Sequence, residues 1–228
     1  MRFTFAAAII SGALLTSGTS AIAADLILYD PMPIAQMDPG WTDGLYIGVH
    51  AGYGFGNADH QPKTGIGPGD NGFDANISGA LVGGQVGGWW HITDGVMGGV
   101  QLDGDWANIT GSVVAGGPVG TVTYTVNWLA TAEGRLGFDA GGFVPYVSLG
   151  VAAAGATRTA SATGVSSSLV HPGLSVGAGA AFMITDQLSA DVEARWQGFQ
   201  ARTYDTGGTP PTVAFGVTTI RAGLNFHF

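Results

Sequence analysis

Ionisable residues are scarce in this chain, and those that could do chemistry recur at every second position. Gln101, Asp103 and Asp105 form one such set, Glu133 and Arg135 a second, and Asp191, Glu193 and Arg195 a third, with Gln85 and Arg221 isolated. A spacing of two puts side chains on one face of a strand. Carboxylates and guanidinium groups that share a face can pair into a salt-bridged core, or they can line a gated path for protons or ions. Unpaired buried charges are costly, and both signs occur together, so a structural core is the better fit. The expected arrangement is two clusters, Asp103, Asp105, Glu133 and Arg135 in one and Asp191, Glu193, Arg195 and Arg221 in the other.

Other candidate chemistry is thinner. A catalytic triad needs a nucleophile, a histidine and an acid that converge. Of His50, His60, His91, His171 and His227, only His50 and His227 are expected on the inner face, near opposite ends of adjoining strands, and no serine–histidine–acid set shares a surface. Gly67, Gly69 and Gly72 fit a G-x-G-x-x-G pattern but neither follow a strand of a βαβ unit nor open a helix, so they lack nucleotide-binding context. Asp70 and Asp74 lack EF-hand spacing. No catalytic residue, cofactor or metal ligand is assigned.

The elements that must hold these residues follow from alternation. Over 121–138 the even positions are apolar and the odd ones polar apart from Leu129, the mark of a strand with one apolar face. This run exceeds the roughly 9–11 tilted residues that cross a bilayer. Strands are expected near 44–56, 76–90, 96–106, 121–138, 143–155, 170–184, 188–199 and 212–228. Long loops are expected at 57–75, 107–120, 156–168 and 200–211, and short turns at 91–95, 139–142 and 185–187. Four long and three short connections in alternation give an all-β fold. It is an eight-stranded antiparallel transmembrane β-barrel with four long extracellular loops and three short periplasmic turns.

Composition decides which face is inside. Charged residues make up 10% of the chain, against about 25% in a typical soluble domain, so the polar face is thin cover for a solvated exterior. Trp90, Trp106, Trp128, Phe138, Phe143, Trp196, Phe226 and Phe228 share the apolar face, mostly near strand ends, as interfacial girdles require. The polar face is therefore the lumen, holding Gln85, Gln101, Asp103, Asp105, Glu133, Arg135, Asp191, Glu193, Arg195 and Arg221. Inner-face glycines, Gly87 and Gly179 among them, are expected to leave gaps that water could fill. A net charge of −9 argues against nucleic acid as a partner. There is no cysteine, hence no disulfide. Residues 1–23 read as a secretory signal peptide, with Arg2 before a short apolar run and Ala21-Ile22-Ala23 as the cleavage signal. Residues 24–43 read as a flexible periplasmic lead-in, and 44–228 as the barrel.

Several short motifs resemble the small OmpA-like outer-membrane β-barrel proteins of alphaproteobacteria, the outer membrane immunogenic protein or surface antigen family. They are Trp41-Thr42-Asp43-Gly44-Leu45-Tyr46-Ile47-Gly48, Gly83-Gly84-Gln85-Val86-Gly87, Gly134-Arg135-Leu136-Gly137 followed by Pro145-Tyr146-Val147, and the closing segment from Arg221 to Phe228. The chain departs from that pattern at Gly88-Trp89, Ala181 and Ala194. The resemblance implies a structural, surface-exposed protein of the bacterial outer membrane that supports envelope integrity and displays antigenic loops. It further implies contact with outer-membrane lipid and lipopolysaccharide, and host or environmental ligands at the loops. Phe226 and Phe228 would form the C-terminal signal read by the barrel-assembly machinery. A small passive channel and a lipid-modifying enzyme are the alternatives.

Overall fold

Alternating sequence becomes strand wherever one face can be buried, and here the pairing closes on itself. The computed structural model describes residues 41, 43–61, 74–116, 120–204 and 212–228. Its strands are β1 (Gly44–Gln61), β2 (Asp74–Thr93), β3 (Val96–Gly116), β4 (Gly120–Phe138), β5 (Phe143–Ala160), β6 (Ser166–Thr185), β7 (Leu188–Thr203) and β8 (Thr212–His227). Each pairs antiparallel with its neighbours, and β1 pairs with β8 in a continuous register from Tyr46↔His227 to Gln61↔Thr212, closing the barrel. The expected signal peptide and lead-in lie outside the described residues, apart from Trp41 and Asp43.

One end of the barrel is made of tight turns. Gly95, Gly141 and Gly142 have φ between 75° and 79°, a left-handed conformation that glycine adopts without a Cβ clash. Adjacent turns are tied by the bond from Asp139 N to Gly95 O at 2.8 Å. At the other end pairing runs well into the segments expected to be loops. β1 continues to Gln61, β3 to Gly116, β5 to Ala160 and β7 to Thr203. The expected loop at 156–168 is reduced to the turn at 161–165. Threonine and valine in these stretches favour extended backbone, and cross-strand hydroxyl pairs of serine and threonine hold it there. Such pairs include Ser112–Thr123 at 2.9 Å and Thr157–Ser168 at 2.8 Å.

The outer surface carries one apolar belt. Trp90, Phe138, Phe143, Phe182, Phe226 and Phe228 mark its lower edge, and Phe55, Trp106, Trp128 and Trp196 its upper edge, all exposed. Along β4 the belt runs from Trp128 to Phe138, the span a tilted transmembrane strand needs. The indole of Trp128 packs against the backbone of Gly155 and leaves no room for a Cβ beside its Nε1. Only glycine admits that approach.

Above the belt the polarity of the barrel inverts. On β3, Gln101, Asp103 and Asp105 face in and Leu102 and Trp106 face out, whereas higher up Ile109 faces in and Asn108 and Ser112 face out. On β4 the sequence does not change its pattern, so the backbone does. Pairing with β5 steps from Trp128↔Gly155 to Val126↔Ala156, leaving Asn127 as an extra residue, and Asn127 and Trp128 both point outward. This β-bulge reverses the phase of everything above it. Val122, Tyr124 and Val126, expected on the lipid side, are therefore buried inside the barrel with Leu129, the one apolar residue of the otherwise polar set. Outside the belt water replaces lipid, and the same side chains find an apolar environment only in the interior.

The bulge makes a testable distinction. Thr125→Arg should cost no more than about 0.5 kcal/mol, because Thr125 lies on the solvated outer face. Ala130→Arg, on the lipid face, should cost roughly 2–4 kcal/mol. Urea titration of both variants refolded into liposomes measures this, whereas unbroken alternation through residue 127 would place Thr125 in the lumen and make its replacement the disruptive one.

Candidate functional site

Among the described residues, the lumen is where this fold gathers its polar side chains of chemical interest, and it is filled at three levels. In the middle lies an ionic network drawn from β3, β4, β7 and β8, buried throughout. Arg195 is bidentate to Asp103, with Nη1 and Nη2 each 3.0 Å from Oδ1, and its Nη2 also reaches Glu133 at 2.9 Å and Glu193 at 3.1 Å. Arg221 joins Glu193 at 2.7 Å to Asp103 at 3.0 Å. Arg135 donates from Nε to Glu133 at 2.9 Å and from Nη2 to Glu193 at 3.2 Å, and its guanidinium lies 4.7 Å over the Tyr146 ring. The expected two clusters are thus one. The lumen is narrow enough for side chains from opposite walls to meet, so Asp103 of β3 binds Arg195 and Arg221 across it.

The other expected lumen residues border this centre. Gln101 accepts from the Tyr46 hydroxyl at 2.6 Å and donates to Asp103 at 3.1 Å. Asp105 pairs with His50 rather than with an arginine. Asp191 accepts from Gln85 at 3.0 Å and from Asn225 at 2.7 Å, two neutral amides. The glycine gaps are occupied: a Cβ on Gly87 or Gly179 would fall 2.5 and 2.6 Å from the hydroxyls of Tyr46 and Tyr146. Each tyrosine lies over the glycine paired with it on the neighbouring strand.

Toward the loop end the interior is largely apolar, with the guanidinium of Arg158 buried in it opposite Tyr124. Ala58, Ile77, Leu81, Ile109, Val122, Tyr124, Val126, Leu129, Phe199, Phe215 and Val217 form one buried cluster. His171 belongs to this level, a third inward histidine beyond His50 and His227. It is fully buried, with Nδ1 3.0 Å from the Gln200 carbonyl and Nε2 2.9 Å from the Tyr204 hydroxyl. Its parity with Ser175 on β6 was the available signal. Burying a valine or leucine side chain is worth about 1.5–3 kcal/mol, so this cluster stabilises the projecting part of the barrel as a soluble core would.

The turn end is closed by an aromatic floor. Tyr46, Trp89, Met97, Val144, Tyr146 and Ala181 pack together, and Trp41, ahead of β1, is inserted beneath them. The Trp41 ring meets Trp89 edge-on at 6.2 Å and His227 at 5.7 Å. His227 is bonded to Ser189 at 2.8 Å, but its Nδ1 has no hydrogen-bond partner, so the pair lacks the third member of a triad. Among the described residues no three His, Cys, Asp or Glu side chains converge as metal ligands do. Asp43 anchors the same segment: its carboxylate accepts from His91 N at 3.1 Å and lies 2.6 Å from His91 Nδ1, while His91 Nε2 lies 3.3 Å from Asp139. These bonds hold His91 above its usual pKa, the Asp43 bond most of all.

A closed barrel with an apolar belt and a paired interior is a membrane architecture, and its relatives say which membrane. No protein-family model matches the chain. It is 30% identical over 228 residues to the 31 kDa outer-membrane immunogenic protein of Brucella melitensis, covering 92% of this chain and 94% of that protein. The chain belongs to the family of outer-membrane immunogenic proteins. The 25 kDa outer-membrane immunogenic protein of Brucella canis is 28% identical over 236 residues, covering 100% of both chains. Among solved structures, OprG of Pseudomonas aeruginosa shares the fold with a TM-score of 0.53 at 14% identity, covering 83% of this chain and 99% of that chain. This member of the immunogenic family is thus a surface β-barrel of the bacterial outer membrane. In such barrels the turn end is periplasmic and the loop end extracellular.

Two outcomes follow. Arg195→Ala leaves Asp103, Glu133 and Glu193 short of a shared cation, and should lower stability by about 3–5 kcal/mol in a urea titration. For the periplasmic clasp, a histidine whose pKa is raised on folding contributes stability that is complete below the unfolded value near 6.5 and is lost as pH rises through the folded value. Trp41 should therefore loosen from pH 6 toward pH 8.5, read as a red shift of its emission in a variant retaining only that tryptophan. His91→Gln should abolish the pH dependence.

Proposed function

We propose that this immunogenic outer-membrane protein is a structural and display barrel, neither a pore nor an enzyme. The observation that supports this is the closure of the lumen by three successive layers, an aromatic floor, an ionic network and an apolar extracellular core. Ions would have to cross both the salt-bridged layer and the apolar one. Each offers the permeant ion less than the water it gives up. In this reading the barrel adds rigid, non-conducting mass to the envelope and lifts its loops above the membrane on strands that continue past the belt. Those loops meet antibodies and host or environmental ligands, and the belt meets lipid and lipopolysaccharide.

Assembly belongs to the same proposal. Phe226 stands on the outer face of β8 and Phe228 follows directly after it, with ring centroids 6.1 Å apart and Phe228 71% exposed. An exposed aromatic C-terminal end is what a barrel-assembly machinery could grip before β8 closes on β1. Planar-bilayer recording is the test of function. The expected result is no steady porin-sized conductance and at most brief, small events, and a large stable conductance of the intact protein would promote the channel.

A further inference from the structure

Above the belt, hydroxyl side chains predominate on the outer surface of β2 to β6. The register aligns Ser78, Thr110, Thr125, Thr157 and Ser168 in a row across five neighbouring strands. A second row, Ser112, Thr123, Thr159 and Ser166, runs parallel to it farther from the belt. The rows are knitted by hydroxyl pairs, Thr110–Thr125 at 3.2 Å, Thr157–Ser168 at 2.8 Å, Ser112–Thr123 at 2.9 Å and Thr159–Ser166 at 3.2 Å. Asn127, the bulge residue, donates from Nδ2 to Thr157 at 2.7 Å. Among the described residues the opposite side of the barrel has no such rows: β7, β8 and β1 place Gly198, Gly216, Ala214, Asn57 and Asp59 on their outer faces, with Thr218 alone at the belt edge and a single hydroxyl pair, Thr203–Thr212 at 3.0 Å, at the loop end.

A sheet surface facing bulk water ordinarily carries charges of both signs, roughly a quarter to a third of its residues. These two rows carry none. They also continue, on the same face and the same strands, an interface already in place, the belt against the outer leaflet. At a rise of ~3.3 Å per residue and a tilt of about 40°, Thr110 stands roughly 10 Å above Trp106 along the barrel axis. That height lies beyond the roughly 5–8 Å headgroup layer of a phospholipid leaflet, at a level that only a headgroup built of several sugars reaches.

On the reading of this chain as an outer-membrane surface barrel, we propose that the hydroxyl face of β2–β6 docks the sugar headgroup of the outer-leaflet glycolipid, lipopolysaccharide, through the sugar hydroxyls rather than the phosphates. Each serine or threonine hydroxyl both donates and accepts, as sugar hydroxyls do. A phosphate site would be built from arginine and lysine. Trp106, 78% exposed at the boundary, adds a flat aromatic face where acyl chain gives way to sugar.

The test uses the full chain refolded into phosphatidylcholine vesicles, alone, with rough lipopolysaccharide, or with phosphatidylglycerol at matched charge. The urea midpoint of unfolding is read in each. Lipopolysaccharide should raise the midpoint of the wild-type protein and phosphatidylglycerol should not. The T110V/T125V/T157V variant, which keeps β-branched side chains, should lose at least half of the rise, and Thr218→Val on β8 should keep it. A variant combining T123V and T159V in the second row, farther from the belt, should lose part of the rise too. A full rise in T110V/T125V/T157V, no rise in the wild type, or an equal rise with phosphatidylglycerol would overturn the proposal. Heat-modifiability on a gel, run on every sample in phosphatidylcholine alone, separately tests the barrel reading on which it rests.

Discussion

In a bilayer every backbone N–H and C=O must find its partner within the protein, and closure of the β1–β8 seam is what satisfies that demand here. All else is conditional on it. Once the ring is closed, each side chain has two destinations, in or out, and the surroundings outside change along the axis from periplasm to lipid to water. The sequence meets that change in two ways. β3 switches its residue pattern while keeping its phase, and β4 keeps its pattern while switching phase at Asn127. Both leave Ile109, Val126 and Leu129 in one interior cluster.

Closure also sets the terms for the interior. A ring of eight strands is narrow, so charges on opposite walls are forced into contact. Three guanidinium groups, of Arg135, Arg195 and Arg221, meet three carboxylates, of Asp103, Glu133 and Glu193, and the centre is neutral. Such a network adds little net stability relative to an apolar core of equal volume, yet the loss of any one member is expensive. The apolar cluster above it supplies the hydrophobic stabilisation that the lumen cannot, and the Trp41 clasp ties the start of the barrel to its floor.

Much of this was legible in the sequence because alternation is a direct image of closure. Parity puts Asp103, Glu133, Arg135, Glu193, Arg195 and Arg221 on one face and the belt aromatics on the other, and the scarcity of charge makes the polar face the inner one. Parity is blind to an inserted residue. Val122, Tyr124 and Val126 continue the pattern of Ala130 and Ala132 without a break, and nothing in their types tells lipid from a dry core. Leu129 was the one discordant residue, and it marked the place where the interior turns apolar. Pairing across the lumen was equally invisible, since Asp103 and Arg195 are adjacent only after the ring closes. The strand extensions were obscured because serine, threonine and glycine serve both loops and solvated strands.

The most direct measurement is a single-cysteine spin-label scan along β4 in lipid bilayers, which the absence of native cysteine makes clean. Accessibility to oxygen reports lipid, and accessibility to a water-soluble nickel complex reports solvent. Labels at 130, 132, 134 and 136 should be oxygen-accessible, labels at 121, 123, 125 and 127 nickel-accessible, and labels at 122, 124 and 126 protected from both. A single unbroken alternation, with 122, 124 and 126 as oxygen-accessible as 130 and 132, would contradict the inversion and with it the sealed lumen.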